Sequence, residues 1–169
     1  DASLQVVSLN PSLLLGPGDP DGSATNTVRW FLRSKLPVCP SGGLSFADVR
    51  DVTDSAYALV TRGEPGKRYL VGAANWTFRD FYDRLARISG MPAPWSTPRF
   101  AARLLRLAPR LGEDGFATGY PMTRVDVDLA SHYWWLDDTA ARTDIQWSPR
   151  DPLATLSDTV FDLRQRGLA

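Results

Sequence analysis

The chain has 169 residues, 43% hydrophobic and 22% charged, and its 19 basic side chains balance its 19 acidic ones. That length supports one domain with a real core, while a zero net charge argues against a phosphate-tracking nucleic-acid surface, which needs a basic excess. No apolar run approaches the roughly 20 residues that span a bilayer, so no membrane association is expected.

The basic side consists of 17 Arg and two Lys, Lys35 and Lys67. Cys39 is the only cysteine and His132 the only histidine, so neither an internal disulfide nor a Cys/His metal cluster is expected. A reducing, cytoplasmic location is the natural expectation, and His132 reads as structural. The chain opens on an apolar run without the basic n-region of a signal peptide, and the expectation is of a cut through a longer protein.

In chain order, 4–15 reads LQVVSLNPSLLL. Val6, Val7 and Leu9 predict a strand buried on both faces of a parallel sheet, stopped at Pro11. Residues 16–22 form an irregular Gly/Pro/Asp loop, and Thr25 or Asn26 caps a helix over 27–34 with Val28, Phe31 and Leu32 on one face. A turn-rich connector over 37–43 precedes a short strand at 44–49. Asp51 is then expected as an N-cap, with Asp54 favouring the positive end of the helix dipole, and Gly63 ends that helix. A strand at 68–71 follows. Thr77 caps a helix over 78–89 that carries Phe81, Leu85 and Ile88 on one stripe and ends at Gly90. The proline-rich stretch 91–98 is extended; 100–108 predicts an Arg-rich helix, and 113–120 is glycine-rich. A turn or short helix, then a strand through Tyr133, Trp134 and Trp135, completes the middle of the chain. Asp137 or Asp138 caps a helix over 139–143, and Pro149 to Pro152 introduces a last helix over 153–166 with Leu156, Val160 and Leu163 inward. Strands separated by helices fit α/β, although the strands are too few for a whole doubly wound domain.

Four segments in one order carry a family resemblance. They are VVSLNPS with GPGD (6–12, 16–19); FADVRDV with Ala56 and Ala58 (46–58); GKRYLVG with Thr77 and Ile88-Ser89-Gly90 (66–90); and DDTAA through WSPRD to Leu156 (137–156). Together they resemble the second half of extended short-chain dehydrogenase/reductases, the NAD-dependent epimerase/dehydratase group, in its dihydroflavonol-reductase-like branch. The resemblance covers almost the whole chain. It implies an α/β fold made of the last Rossmann strands plus a small, mainly helical substrate-binding lobe, with 1–169 a single fragment and the N-terminal dinucleotide-binding half absent. The family usually has a Leu-Gly pair before the aromatic, where this chain has Ile145-Gln146-Trp147; that reads as local variation in a surface turn.

The family's GxxGxxG turn is missing. The nearest pattern, Gly16-x-Gly18-x-x-x-Gly22, loses two N–H donors to Pro17 and Pro20 and carries Asp19 and Asp21, which repel phosphate, so no phosphate cradle is expected there. The family's Tyr with a Lys four residues on, in which the Lys lowers the Tyr pKa for proton transfer, is missing too: Phe31 precedes Lys35 and Gly63 precedes Lys67, and Tyr120-x-x-x-Arg124 is the nearest approach. No catalytic residue is assigned.

In open α/β sheets ligands bind beyond the carboxyl ends of strands. The resemblance accordingly implies that Asn10, Pro11, Ser12 and Leu13 line the nicotinamide end of the cofactor, with Pro11 against the ring and backbone near Leu13 at the carboxamide. The bland alternative is a proline-terminated strand. Trp95 and Phe100, beside the proline connector, are candidates for an apolar or aromatic substrate against a reading as packing residues. Arg99, Arg103, Arg106 and Arg110 share a face, most simply a solvated one. The expected parent is an NAD(P)-dependent oxidoreductase or epimerase acting on a carbonyl or alcohol, with this chain closing the nicotinamide and substrate site. Alone it should be inactive and bind no cofactor, and its exposed strand edge should pair with the missing N-terminal half or a second copy. The alternative is a naturally truncated, non-catalytic binding or assembly module.

Overall fold

The structure is a computed structural model and describes residues 4–33, 38–96 and 128–169. In chain order the elements are β1 (Ser8–Pro11), β2 (Leu13–Leu15), α1 (Asn26–Leu32), β3 (Val38–Cys39), β4 (Gly43–Asp48), α2 (Val49–Arg62), β5 (Arg68–Val71), β6 (Ala74–Thr77), α3 (Phe78–Ser89), β7 (Trp95–Ser96), β8 (Tyr133–Trp134), α4 (Thr139–Asp144) and α5 (Pro152–Gln165). They form a mixed α/β fold.

One extended stretch joins two sheets. β1 runs parallel to β5, Ser8 opposite Arg68 through Pro11 opposite Val71. After a break at Ser12, β2 runs parallel to β4, Leu13 opposite Phe46. β4 also pairs antiparallel with β6 and parallel with β8. A third short sheet pairs β3 with β7, Val38 opposite Trp95. Residues 38–39, read as part of a connector, and 74–77, for which no strand was expected, are therefore strands. Their runs are only two and four residues long, and sheet pairing rather than local pattern holds them extended.

The first strand departs from its expectation. Leu4 is 88% exposed and Val6 62%, and the ladder begins at Ser8, so this is not a strand buried on both faces. Among the described residues one face is covered: Leu9, opposite Tyr69, lies towards α2 and α4, whose Val52, Leu59, Ala141 and Ile145 share a core with Val7, Leu9, Tyr69, Val71 and Trp147. Pro11 does not stop the pairing. The amides of Ser8 and Ser12 bond to the carbonyls of Lys67 and Val71, and since successive residues alternate, residues 8, 10 and 12 face β5. Pro11 turns its missing N–H to the other side, which is where sheets tolerate proline.

The second core lies under β4, every residue of which is buried. Leu44 and Phe46 pack with Leu15, Val28, Phe31, Phe81, Leu85, Leu156, Val160 and Leu163. Phe46 meets Phe81 and Trp76 edge-on, with centroids 5.8 and 5.1 Å apart. Each such side chain, fully withdrawn from water, contributes about 1.5–3 kcal/mol, and the predicted inward stripes of α1, α3 and α5 are the ones that supply them.

Candidate functional site at the strand ends

β1 and β5 finish side by side, and the chain leaves the first sheet at Ser12 to enter the second as β2. Such a crossover between sheets at the carboxyl ends of parallel strands is the position at which open α/β sheets take ligands. Asn10 and Pro11 are exposed there; Ser12 and Leu13 are half-buried. Asn10 lies on the uncovered face, where its Oδ1 accepts from the Ser8 hydroxyl at 3.1 Å. All four expected cofactor-side residues are thus contiguous at this end.

Behind them, the Ser12 and Ser45 hydroxyls are buried and find no hydrogen-bond partner among the described residues. They flank Gly72, the residue after β5: a Cβ there would stand 2.5 Å from Ser45 Oγ and 3.5 Å from Ser12 Oγ. The gap in the packing therefore requires glycine. Leu136 closes it from above, held by Asn75, whose Nδ2 donates to the Leu136 carbonyl at 2.9 Å while its Oδ1 accepts from the Leu136 amide at 3.1 Å. Trp147 Nε1 donates to the Gly72 carbonyl and to Asp138, each at 3.1 Å. Ser45, Gly72, Asn75 and Leu136 were not singled out from sequence, because only the register of β4 against β6 and the docking of the 135–138 segment bring them together. The one sequence signal was the glycine directly following a buried strand.

Tyr133 and Trp135 rim this end, their rings 5.1 Å apart. Both approach within 3.0 Å of where a Gly43 Cβ would stand, so they lie against bare backbone. Each is about half exposed.

Beneath β4 sits a charged cluster. Asp48, fully buried, is the N-cap of α2 and accepts from the Arg50 amide. Its carboxylate also takes both Nε and Nη2 of Arg50, at 2.9 and 2.7 Å, and the Thr155 hydroxyl at 3.0 Å. Burial alone would raise the Asp48 pKa, but the Arg50 and Thr155 bonds outweigh it and hold it below the usual carboxylate value. Arg50 reaches on to Asp158 at 2.7 Å, and its own pKa is raised, first by the bond to Asp48. Asp51 is not the cap it was expected to be. It lies in the first turn, inward, and binds the amide and Nε of Arg150 at 2.9 and 2.8 Å. Asp48 takes the cap because β4 delivers it with extended dihedrals (φ −76°, ψ 133°) one residue before the helix. The cluster ties β4 and α2 to α5 and has no reach to the strand-end surface.

The 16–22 loop is filled from within. Asp19 accepts from the amides of Gly22 and Thr25, each at 2.9 Å, and from the Thr25 hydroxyl. Burial opposes this charge, yet those bonds lower the Asp19 pKa. The amides of Gly16 and Gly22 are thereby occupied by Thr159 and Asp19.

Trp95 is 84% exposed on β7, in a sheet separate from those of β1 and β2. Phe100 lies outside the described residues, as do Arg99, Arg103, Arg106, Arg110, Tyr120 and Arg124. Lys67 binds Glu64 at 2.8 Å and Asp144 at 3.1 Å. His132 Nδ1 meets the Asp128 carbonyl at 2.7 Å. Burial pushes the Cys39 thiol up to about 11, which makes it a poor nucleophile. No helix among the described residues is long and apolar enough to cross a membrane.

No family model matches the chain. A "Putative dihydroflavonol 4-reductase" from Synechocystis is 34% identical over 97 residues, 54% of this chain and 28% of that protein. A nucleoside-diphosphate-sugar epimerase from Pseudomonas aeruginosa superposes with a TM-score of 0.76 at 23% identity, covering 98% of this chain and 50% of that one. UDP-glucose 4-epimerase from Thermotoga maritima, solved with UDP-glucose, gives 0.66 at 20% identity over 96% and 47%. UDP-glucuronic acid 4-epimerase from Bacillus cereus, solved with NAD, gives 0.63 at 17% over 96% and 45%. The chain spans about half the length of these structures and matches less than a third of the curated relative. The fold is that of the epimerase and short-chain reductase structures, in agreement with the resemblance carried by the four sequence segments.

Proposed function

We propose that this chain, which has the Rossmann-type fold of about half of an extended short-chain dehydrogenase/reductase, is the C-terminal, closing half of an NAD(P)-dependent oxidoreductase or epimerase acting on a carbonyl or alcohol substrate. One observation carries the reading: at the carboxyl ends of the parallel pair β1–β5, Asn10 and Pro11 are exposed, directly before Ser12, whose buried hydroxyl, like that of Ser45, has no partner among the described residues.

These residues fit the nicotinamide end of such a cofactor and not its phosphates. The strand-end surface offers an exposed proline and a neutral amide, which suit an uncharged ring and carboxamide. The glycine-rich 16–22 loop holds its own carboxylate, Asp19. Bound, the cofactor would supply or accept the hydride. The part of this chain is to place Pro11 against the ring, to hold the carboxamide near Ser12 and Leu13, and to exclude water with the Leu136 segment and the Tyr133–Trp135 rim. The pyrophosphate turn and a proton-transferring Tyr/Lys pair would come from the rest of the fold. Trp95 and Phe100 remain the proposed contacts to an apolar substrate.

The test is a fluorescence titration with NADH and NADPH of the chain alone and of the chain mixed with a separately expressed dinucleotide-binding half. The chain alone should show no saturable binding and no turnover. The mixture should bind, and Pro11→Asp should weaken that binding about tenfold, a loss near 1.4 kcal/mol. Tight binding by the chain alone, or a mixture indifferent to Pro11→Asp, would defeat the proposal.

A further inference from the structure

Two buried hydroxyls converge on one glycine behind the strand end. Ser45 is 4% exposed, the Ser12 Oγ is buried too, and neither hydroxyl has a partner among the described residues. The point that a Gly72 Cβ would occupy is 2.5 Å from Ser45 Oγ, 3.5 Å from Ser12 Oγ and 3.7 Å from the Leu136 Cβ. Both hydroxyls therefore border the space that glycine leaves open. They arrive there from separate places: Ser12 from the break between β1 and β2, Ser45 from β4. The peptide groups around them are engaged elsewhere. Leu136 gives its amide and its carbonyl to Asn75. The Val71 carbonyl takes the Ser12 amide and the Phe46 carbonyl the Ala73 amide, while the Gly72 carbonyl takes Trp147 Nε1. A buried hydroxyl without a partner is costly, and native proteins satisfy nearly all such groups with protein atoms or ordered water.

We propose that the space between Ser12, Ser45 and Gly72 is a binding site for a single water molecule, which bridges the two hydroxyls beneath the Leu136 segment. Distance, charge and size each narrow the ligand. The two separations at Gly72 fall on either side of about 2.8 Å, the usual O–H···O distance, so an oxygen seated near that point is within reach of both hydroxyls. The groups nearest the point are two neutral hydroxyls and one aliphatic side chain, so an ion would lose its hydration without gaining a counter-charge. A larger organic group is barred by Leu136, which is fastened through both of its peptide groups. Water is small and neutral and both donates and accepts, as a serine hydroxyl does. Two polar partners meet the minimum that buried water requires. On this reading Gly72 is a residue of the site, because any side chain there would displace the ligand. The site lies beyond the functional reading above and does not depend on it: the water ties β4 to the start of β2 whether or not the strand end receives a cofactor.

Two measurements on the whole chain test the site. A high-resolution crystal structure of the wild type should show one oxygen about 2.8 Å from both Oγ atoms. A dry space, or hydroxyls turned onto backbone carbonyls, overturns the proposal. The second measurement is a double-mutant cycle of Ser12→Ala, Ser45→Ala and the two together, read by thermal midpoint. Loss of either hydroxyl releases the same water. Each single variant should therefore lower the midpoint by about 2–4 °C, and the double variant by little more than one of them. Hydroxyls in a dry space give the opposite sign, since each removal relieves an unsatisfied group and the midpoint holds or rises. Two drops that simply add mean hydroxyls satisfied independently, and they also sink the bridge. The crystal structure needs no variant, so it decides even where an alanine chain fails to fold.

Discussion

Gln146 is the only described non-glycine residue in left-handed backbone, at φ 59°. It follows α4, whose end is closed by the Ile145 and Trp147 amides returning to the Ala141 carbonyl. Ile145 and Trp147 are buried to 2% and 4% exposure, so the segment is a helix stop anchored on both sides rather than a free surface turn. Only Gln146 faces out, and its backbone is the one that glycine adopts at no steric cost. Where the family resemblance would have glycine, this chain therefore stores strain of about 1 kcal/mol. Gln146→Gly should raise stability by about that amount by urea unfolding, since the bond it removes, to exposed Arg62, is worth little. An unchanged or lower midpoint would mean that the Arg62 contact outweighs the backbone.

Among the elements, α3 was read from sequence to the residue, and the reason is local. Thr77 accepts from the Asp80 amide at 3.0 Å and its hydroxyl donates to the Asp80 carboxylate at 2.6 Å; Gly90 closes the far end at φ 75°. Both signals lie within the helix's own neighbourhood. Thr77→Ala should therefore cost about 1 kcal/mol, visible in the thermal midpoint, and Thr77→Ser should restore most of it. β5, α5 and their inward side chains were legible for the same reason. Elements that depend on distant partners were not. β6 looks like loop until Ala74, Asn75, Trp76 and Thr77 find Phe46, Ser45, Leu44 and Gly43, and β3 exists only against β7. Asp51 and Asp48 show the same limit within one helix: both are plausible caps in the string Phe46 to Asp51, and it is Arg150, 99 residues further on, that claims Asp51. Of the candidate site, the Asn10 to Leu13 segment was an expectation drawn from the resemblance, whereas the Ser45–Gly72–Leu136 backing gave no such signal, because three separate segments build it.

At the scale of the molecule, the two cores meet through β4, and the Asp48 cluster fastens that junction to α5. With its folded pKa below the unfolded value, Asp48 binds its proton more readily in the unfolded chain. Its contribution is complete above about pH 4 and is lost as pH falls below that through the folded pKa. Asp19 and Asp80 shift in the same direction and add to the trend. The chain should accordingly hold its denaturation midpoint from neutral pH to about pH 5 and lose it steeply below pH 4. Asp48→Ala, which leaves Arg50 facing a buried void, should cost about 3 kcal/mol at pH 7 and flatten the acid limb. A variant whose acid limb is as steep as the wild type's would show that other carboxylates govern the transition.

The proline in β1 has a bearing on solubility as well. A chain whose free strand border displays an unbroken row of amide donors invites stacking of like on like, the first step towards fibrils. Here that row offers Val7 and Leu9 and then stops, because Pro11 presents a ring where the third donor would stand. A short lateral guest finds two rungs and a gap, so runaway growth along this border is blunted while a single well-fitted strand is still admitted.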